Sequence, residues 1–145
     1  MSKLVGMTDG QFWKSIRLLL DPGNPDNCVY RVLKPLTVFK KLNTGQREFG
    51  YRTSGYNVIC ELRIPAQALV VIPRGCFEKM RASSAEVVAL TARNGVKVKV
   101  AYNCLKRHLK YEVGHKVYPH KLDKTNEECG AGINFFLRKQ RAIEF

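Results

Sequence analysis

The dipeptide Asn94-Gly95 stands between two strand-like runs, residues 84–93 and 96–102. Asn-Gly flanked by β-forming residues is the strongest short-range signal for a hairpin, because a primed turn needs positive φ and these two residues tolerate it. A two-residue turn is therefore predicted there. Alternation along the returning strand then gives Val96, Val98 and Val100 one face and Lys97 and Lys99 the other. One face goes to a core, and the other presents positive charge.

Other segments carry the same period. Residues 29–33 and 36–39 read as strands separated by Lys34-Pro35, and residues 56–64 form a longer strand ended by Pro65. Asn43-Thr44-Gly45 reads as a tight turn, residues 66–72 are apolar and fit helix or strand, and residues 133–137 are a last strand candidate. Thr8-Asp9-Gly10-Gln11 has the spacing of a capping box, and Phe12, Trp13, Ile16, Leu19 and Leu20 follow at helical spacing. An amphipathic helix is predicted over residues 9–20, stopped by the turn of residues 21–27, and a short helix over residues 138–145. One-sided helices usually pack on their own sheet, so the five apolar residues are placed in the core. The resulting expectation is an α+β fold: a small, mainly antiparallel mixed sheet with an N-terminal amphipathic helix and a short C-terminal helix. The 145 residues carry no repeat, linker or low-complexity tract, so a single domain over 1–145 is expected.

The charge is the strongest statement about partners. Twenty-five Lys and Arg against 12 Asp and Glu give a net charge of +13. Such an excess favours acidic protein surfaces, nucleic acid or anionic lipid. No apolar run approaches the roughly 20 residues that span a bilayer, and the first residues lack the apolar stretch of a signal peptide. The chain is therefore expected not to be secreted. Five cysteines, Cys28, Cys60, Cys76, Cys104 and Cys129, form no CxxC pair and are expected reduced.

Three constellations bear on chemistry. Lys97, Lys99, Lys106, Arg107 and Lys110 crowd one segment, with Lys116 and Lys121 following and Tyr102, Tyr111 and Tyr118 interleaved. Cations neutralise phosphates and rings stack on exposed bases, so these five cations are the candidate polyanion-binding residues. Cys104, His108, His115, His120 and Cys129 are metal-type donors, but their spacing matches no standard zinc module, and neither metal nor cofactor is expected. The glycines form neither a dinucleotide fingerprint nor a P-loop, and no catalytic residue is selected.

Several blocks in order have a family look: Phe39-Lys40-Lys41-Leu42, residues 58–68, residues 79–90, Tyr111-Glu112-Val113-Gly114-His115-Lys116-Val117-Tyr118-Pro119, and residues 128–136 with Ala142. Together they resemble a domain of unknown function of large nucleocytoplasmic DNA viruses, often found beside pentapeptide repeats. The resemblance covers roughly residues 37–145. It departs where the family usually has histidine and this chain has Asn134, where the family often has cysteine and this chain has Met80, and at Phe145 in place of a terminal tyrosine. No pentapeptide repeat is present. The resemblance implies a viral setting, in a virion or an infected cell's cytoplasm, and carries no agreed activity.

The leading expectation is thus a non-enzymatic viral protein, a small basic structural or virion-associated (minor capsid or core) component that binds acidic partners. A nucleic-acid-binding or host-interaction factor is the alternative. A third reading, an ADP-ribosyltransferase-like enzyme, rests on the glycine-aromatic run Gly132-Ile133-Asn134-Phe135-Phe136 and predicts a saturable rise in melting temperature with a nicotinamide cofactor.

Overall fold

The computed structural model describes residues 9–21, 28–43, 47–48, 51–52, 58–73, 79–103, 109–119, 121–125 and 131–144. A short helix, α1 (Asp9–Arg17), leads into β1 (Leu20–Asp21), β2 (Val29–Val32) and β3 (Leu36–Leu42). β4 (Arg47–Glu48) and β5 (Tyr51–Arg52) form a small ribbon. β6 (Val58–Ile64), β7 (Leu69–Val71), β8 (Lys79–Ala82) and β9 (Ala85–Ala92) follow. A second ribbon pairs β10 (Val100–Tyr102) with β11 (Lys110–Glu112). Then come β12 (Lys116–Val117), β13 (Ile133–Phe136) and α2 (Lys139–Glu144). Nine strands make one sheet in the order β1-β2-β7-β8-β13-β3-β6-β9-β12, every pairing antiparallel.

The α+β expectation is corrected by this count of elements. The described chain is nearly all β, with 13 strands against two short helices. The amphipathic helix expected over residues 9–20 is absent as such. The helical turns stop at Arg17, Leu18 is 77% exposed, and Leu20 enters the sheet opposite Val32. The physical reason is competition. Nine helical residues are marginal on their own, and Leu20 buries its side chain by joining the ladder instead. The side chains of Phe12 and Trp13 lie outside the described residues.

Alternation explains the core. In β3, Leu36, Val38, Lys40 and Leu42 are buried and face Ile64, Leu62, Cys60 and Val58 of β6. A bulge in the β6–β9 pairing makes Val88 an extra residue, so Val87 and Leu90 both reach the core. One apolar cluster runs from Leu20 in β1 to Val117 in β12, strands at opposite ends of the sheet. On that face α1 adds Ile16 and the β10–β11 ribbon adds Ala101 and Tyr111. Each fully buried aliphatic side chain contributes roughly 1.5–3 kcal/mol. The outer face is covered only in places. There α2 lies against β3, β13 and β6, and Cys28, Val71 and Ala142 are buried outside the main cluster.

The Asn-Gly turn forms with a different geometry from the one expected. The Gly95 amide donates to the Ala92 carbonyl at 2.9 Å, and the Ala92 amide donates to the Val96 carbonyl at 2.8 Å. This is a three-residue loop, Arg93-Asn94-Gly95, in which Gly95 takes φ +87° and Asn94 stays out of the positive region. Asn94 instead accepts a hydrogen bond from the Val96 amide on its Oδ1, at 3.0 Å. The loop length decides which face each side chain takes. A two-residue turn would set Lys97 opposite Ala92, on the core side. The observed loop sets Lys97 opposite Thr91, on the outer side, and brings Val98 to Leu90 and the core. Val96, expected inward, is 54% exposed because it sits at the loop, past the end of the core.

Candidate polyanion interface

Charge is sorted by depth. Arg63, Lys97, Lys99, Lys110, Lys116 and Lys121 are all exposed. Among the carboxylates whose side chains are described, Asp21 alone is fully on the surface. Glu61, Glu86, Glu112 and Asp123 are partly buried. The described surface is therefore mainly cationic.

Of the five candidate cations, the three described, Lys97, Lys99 and Lys110, do not share one strand face. Lys97 projects from the outer face of the sheet, where its Nζ donates to Thr91 Oγ1 at 2.8 Å. Lys99 sits at the bend between the β9 edge and the second ribbon, and its carbonyl accepts from the Val113 amide at 3.0 Å. Lys110 projects from the outward side of that ribbon, opposite the side that buries Ala101 and Tyr111. Its Nζ pairs with Glu112 Oε1 at 3.2 Å, and His115 Nε2 lies 3.6 Å from Glu112 Oε2. Such exposed pairs contribute about 0–1 kcal/mol, little enough for a polyanion to displace. Lys106 and Arg107 lie outside the described residues.

The interleaved tyrosines separate into three roles. Tyr111 is wholly buried, and among the described residues its hydroxyl has no hydrogen-bond partner. Burial, with the Cys60 thiol nearby, pushes its phenol well above the ordinary range. Tyr102 is partly buried and bridges β3, its amide donating to the Asn43 carbonyl at 2.7 Å. Tyr118 is 63% exposed and is the ring presented to solvent.

Two interior cations carry no mark in the sequence. Arg81 is fully buried on the outer side of β8, opposite Asn134 of β13. Its Nε donates to the Asp123 carbonyl at 2.7 Å and its Nη2 to the Thr125 carbonyl at 2.6 Å, with Asp123 Oδ1 4.0 Å away. It clamps the loop of residues 121–125 onto the sheet. Hydrogen bonds from the Thr125 hydroxyl and amide hold the Asp123 carboxyl below its usual range, with Arg81 and Lys121 adding to the effect. Lys40, on the core face, donates from Nζ to the Asn134 carbonyl at 2.6 Å. Nothing in the local pattern distinguishes either residue as interior. Only the order β8-β13-β3 brings Asn134 to Arg81 on one side and close to Lys40 on the other.

Of the metal-type donors, Cys104, His108, His120 and Cys129 lie outside the described residues, and His115 is exposed. Among the described residues no three such donors gather. Cys28 and Cys60 are free, buried thiols. Burial pushes Cys60 up to about 12, and Lys40 only partly offsets it, so this thiol is a poor nucleophile. No helix among the described residues is long and apolar enough to cross a membrane.

Fold and surface together define a basic protein built almost entirely on one antiparallel sheet. Residues 27–142 match a family of unknown function, DUF5758, and the chain belongs to that family. The match starts just before β2, earlier than the residue 37 suggested by the sequence blocks. No curated protein and no solved structure matches the chain.

Proposed function

We propose that this protein is a non-catalytic polyanion binder, a small basic structural or virion-associated component of a large DNA virus. The observation that carries the binding is the sorting of charge, with most described lysines and arginines exposed and most described carboxylates set back. The viral setting is supported by the resemblance of the ordered blocks to giant-virus domains. Exposed cations gain affinity for a polyanion mainly by releasing its counterions, so binding has to weaken linearly in log salt.

The test is a titration of labelled DNA duplex and labelled polyglutamate with the purified chain across a salt series. The variant has Lys97, Lys99, Lys106, Arg107 and Lys110 all replaced by Gln. It should stay folded, bind more weakly at low salt, and show a slope reduced by up to about 0.9 log unit for each duplex phosphate that is no longer neutralised. Binding that ignores salt, or a folded variant that binds both ligands like the parent, would refute the proposal.

A further inference from the structure

We propose that Tyr118 and Lys116, together with Arg63, form a stacking site for an unpaired nucleobase, so that the polyanion held at this edge is single-stranded nucleic acid. This deepens the polyanion reading and rests on it.

The strand register builds the site. Lys116 pairs with Glu86, and Val117 pairs with Ala85. Val117 is buried, so alternation sends Lys116 to the outer face, and Tyr118, the residue after the strand, is exposed. Glu86 in turn faces Arg63 of β6. With neighbouring strands about 4.8 Å apart, Arg63 and Lys116 flank Glu86 at roughly 10 Å from each other. Among the described residues neither cation is in an ion pair, and the Tyr118 hydroxyl makes no hydrogen bond. Glu86 disfavours a phosphate between the two cations, which leaves them to meet separate backbone phosphates on either side of it.

The ring selects the class of polyanion. An aromatic face carries negative charge density, so it repels a carboxylate and gives an acidic protein surface nothing to gain there. A nucleobase stacks on the same face, and each such stack is worth a large factor in affinity. Base pairs inside a duplex are already stacked on their neighbours and offer no free face. Of the three tyrosines in the basic segment, Tyr111 is buried and Tyr102 is tied to β3, so Tyr118 is the ring that remains for this purpose. Pro119 follows it directly and restricts the backbone on that side.

The experiment compares the full chain with its Tyr118→Leu, Tyr118→Phe and Lys116→Gln/Arg63→Gln variants. Binding is read by fluorescence anisotropy on an oligothymidylate of about twelve nucleotides, a duplex of equal length and polyglutamate. Thermal melts confirm that each variant is folded, as expected for exposed positions. Tyr118→Leu should weaken oligothymidylate binding by about 5- to 150-fold and leave the duplex and polyglutamate within about twofold. Tyr118→Phe should bind like the parent. The double cation variant should weaken oligothymidylate binding and lower its salt slope. If Tyr118→Leu binds oligothymidylate like the parent while salt-dependent duplex or polyglutamate binding persists, the stacking site is wrong and the charge reading stands. Equal losses on all three ligands, or a larger loss on polyglutamate, point to a protein partner and also overturn it. A parent chain that binds none of the three at low salt refutes both.

Discussion

Replacing Tyr111 by Phe removes one hydroxyl from a ring that is wholly buried between the second ribbon and the core. That hydroxyl has no partner among the described residues, which strip it of water and return no hydrogen bond. The penalty for a buried, unsatisfied polar group is about 1–3 kcal/mol. The phenyl ring of the variant keeps the packing against Ala101 and the Cys60 region and leaves a gap of only one oxygen. Tyr111→Phe should therefore stabilise the protein, by roughly 1–2 kcal/mol once the small gap is counted. For a chain of this size that is a rise of about 3–8 °C in Tm. Tyr111→Ala is the control. It should destabilise by about 3–5 kcal/mol through loss of the ring. Urea unfolding followed by circular dichroism measures all three proteins, and an unchanged m-value confirms that the native state is compared like for like. A Tyr111→Phe variant less stable than the parent by about 1 kcal/mol or more would mean that the hydroxyl is hydrogen-bonded after all.

Gly132 takes φ +143°, and a Cβ there would sit 2.8 Å from Leu122 Cδ1 and 3.2 Å from Arg81 Cβ. Gly132→Ala should cost about 1–3 kcal/mol, and a variant as stable as the parent in urea would show that the 121–125 loop yields at no cost. Alkaline pH tests the buried thiol. The unfolded Cys60 thiol ionises near 9 and the folded one near 12, so this group's contribution is complete below pH 9 and is lost as pH rises towards 12. Stability should fall there by about 1.4 kcal/mol per pH unit from this group, and Cys60→Ala should flatten the decline by that amount. Parallel parent and variant curves between pH 9 and about 11 would contradict the burial of the thiol.

How much of this was legible in the sequence follows from the range of each interaction. β3 and β6 could be read because Leu36, Val38, Val58, Leu62 and Ile64 alternate within a few residues. The Asn94-Gly95 hairpin was legible for the same reason, although its loop length was not. Of the three valines expected inward only Val98 reaches the core, which takes three loop residues, and the position of Ala92 fixes this only once the β6–β9 pairing is known. Lys40 and Arg81 were illegible as interior residues, because carbonyls 94 and 42–44 positions away in sequence satisfy them. The N-terminal helix was overestimated, since periodicity alone does not reveal that Leu20 has a better place opposite Val32. At the candidate interface, composition revealed the positive charge. Which tyrosine faces out depended on the pairing of β10 with β11 and of β12 with β9.

The placement of β13 has a consequence for how the molecule is made. Four strands, β1, β2, β7 and β8, lie to one side of it, and four, β3, β6, β9 and β12, lie to the other. β13 is the latest of the described strands to leave the ribosome, yet it is the seam that joins the two halves. Until it arrives, β8 and β3 are raw edges, each able to recruit a strand from another nascent chain. The core face that holds Met80 and Leu42 stays split for the same interval. Synthesis of this protein therefore passes through a window in which two half-sheets wait for their zipper, and a chain cut short before Ile133 would keep both edges open for good.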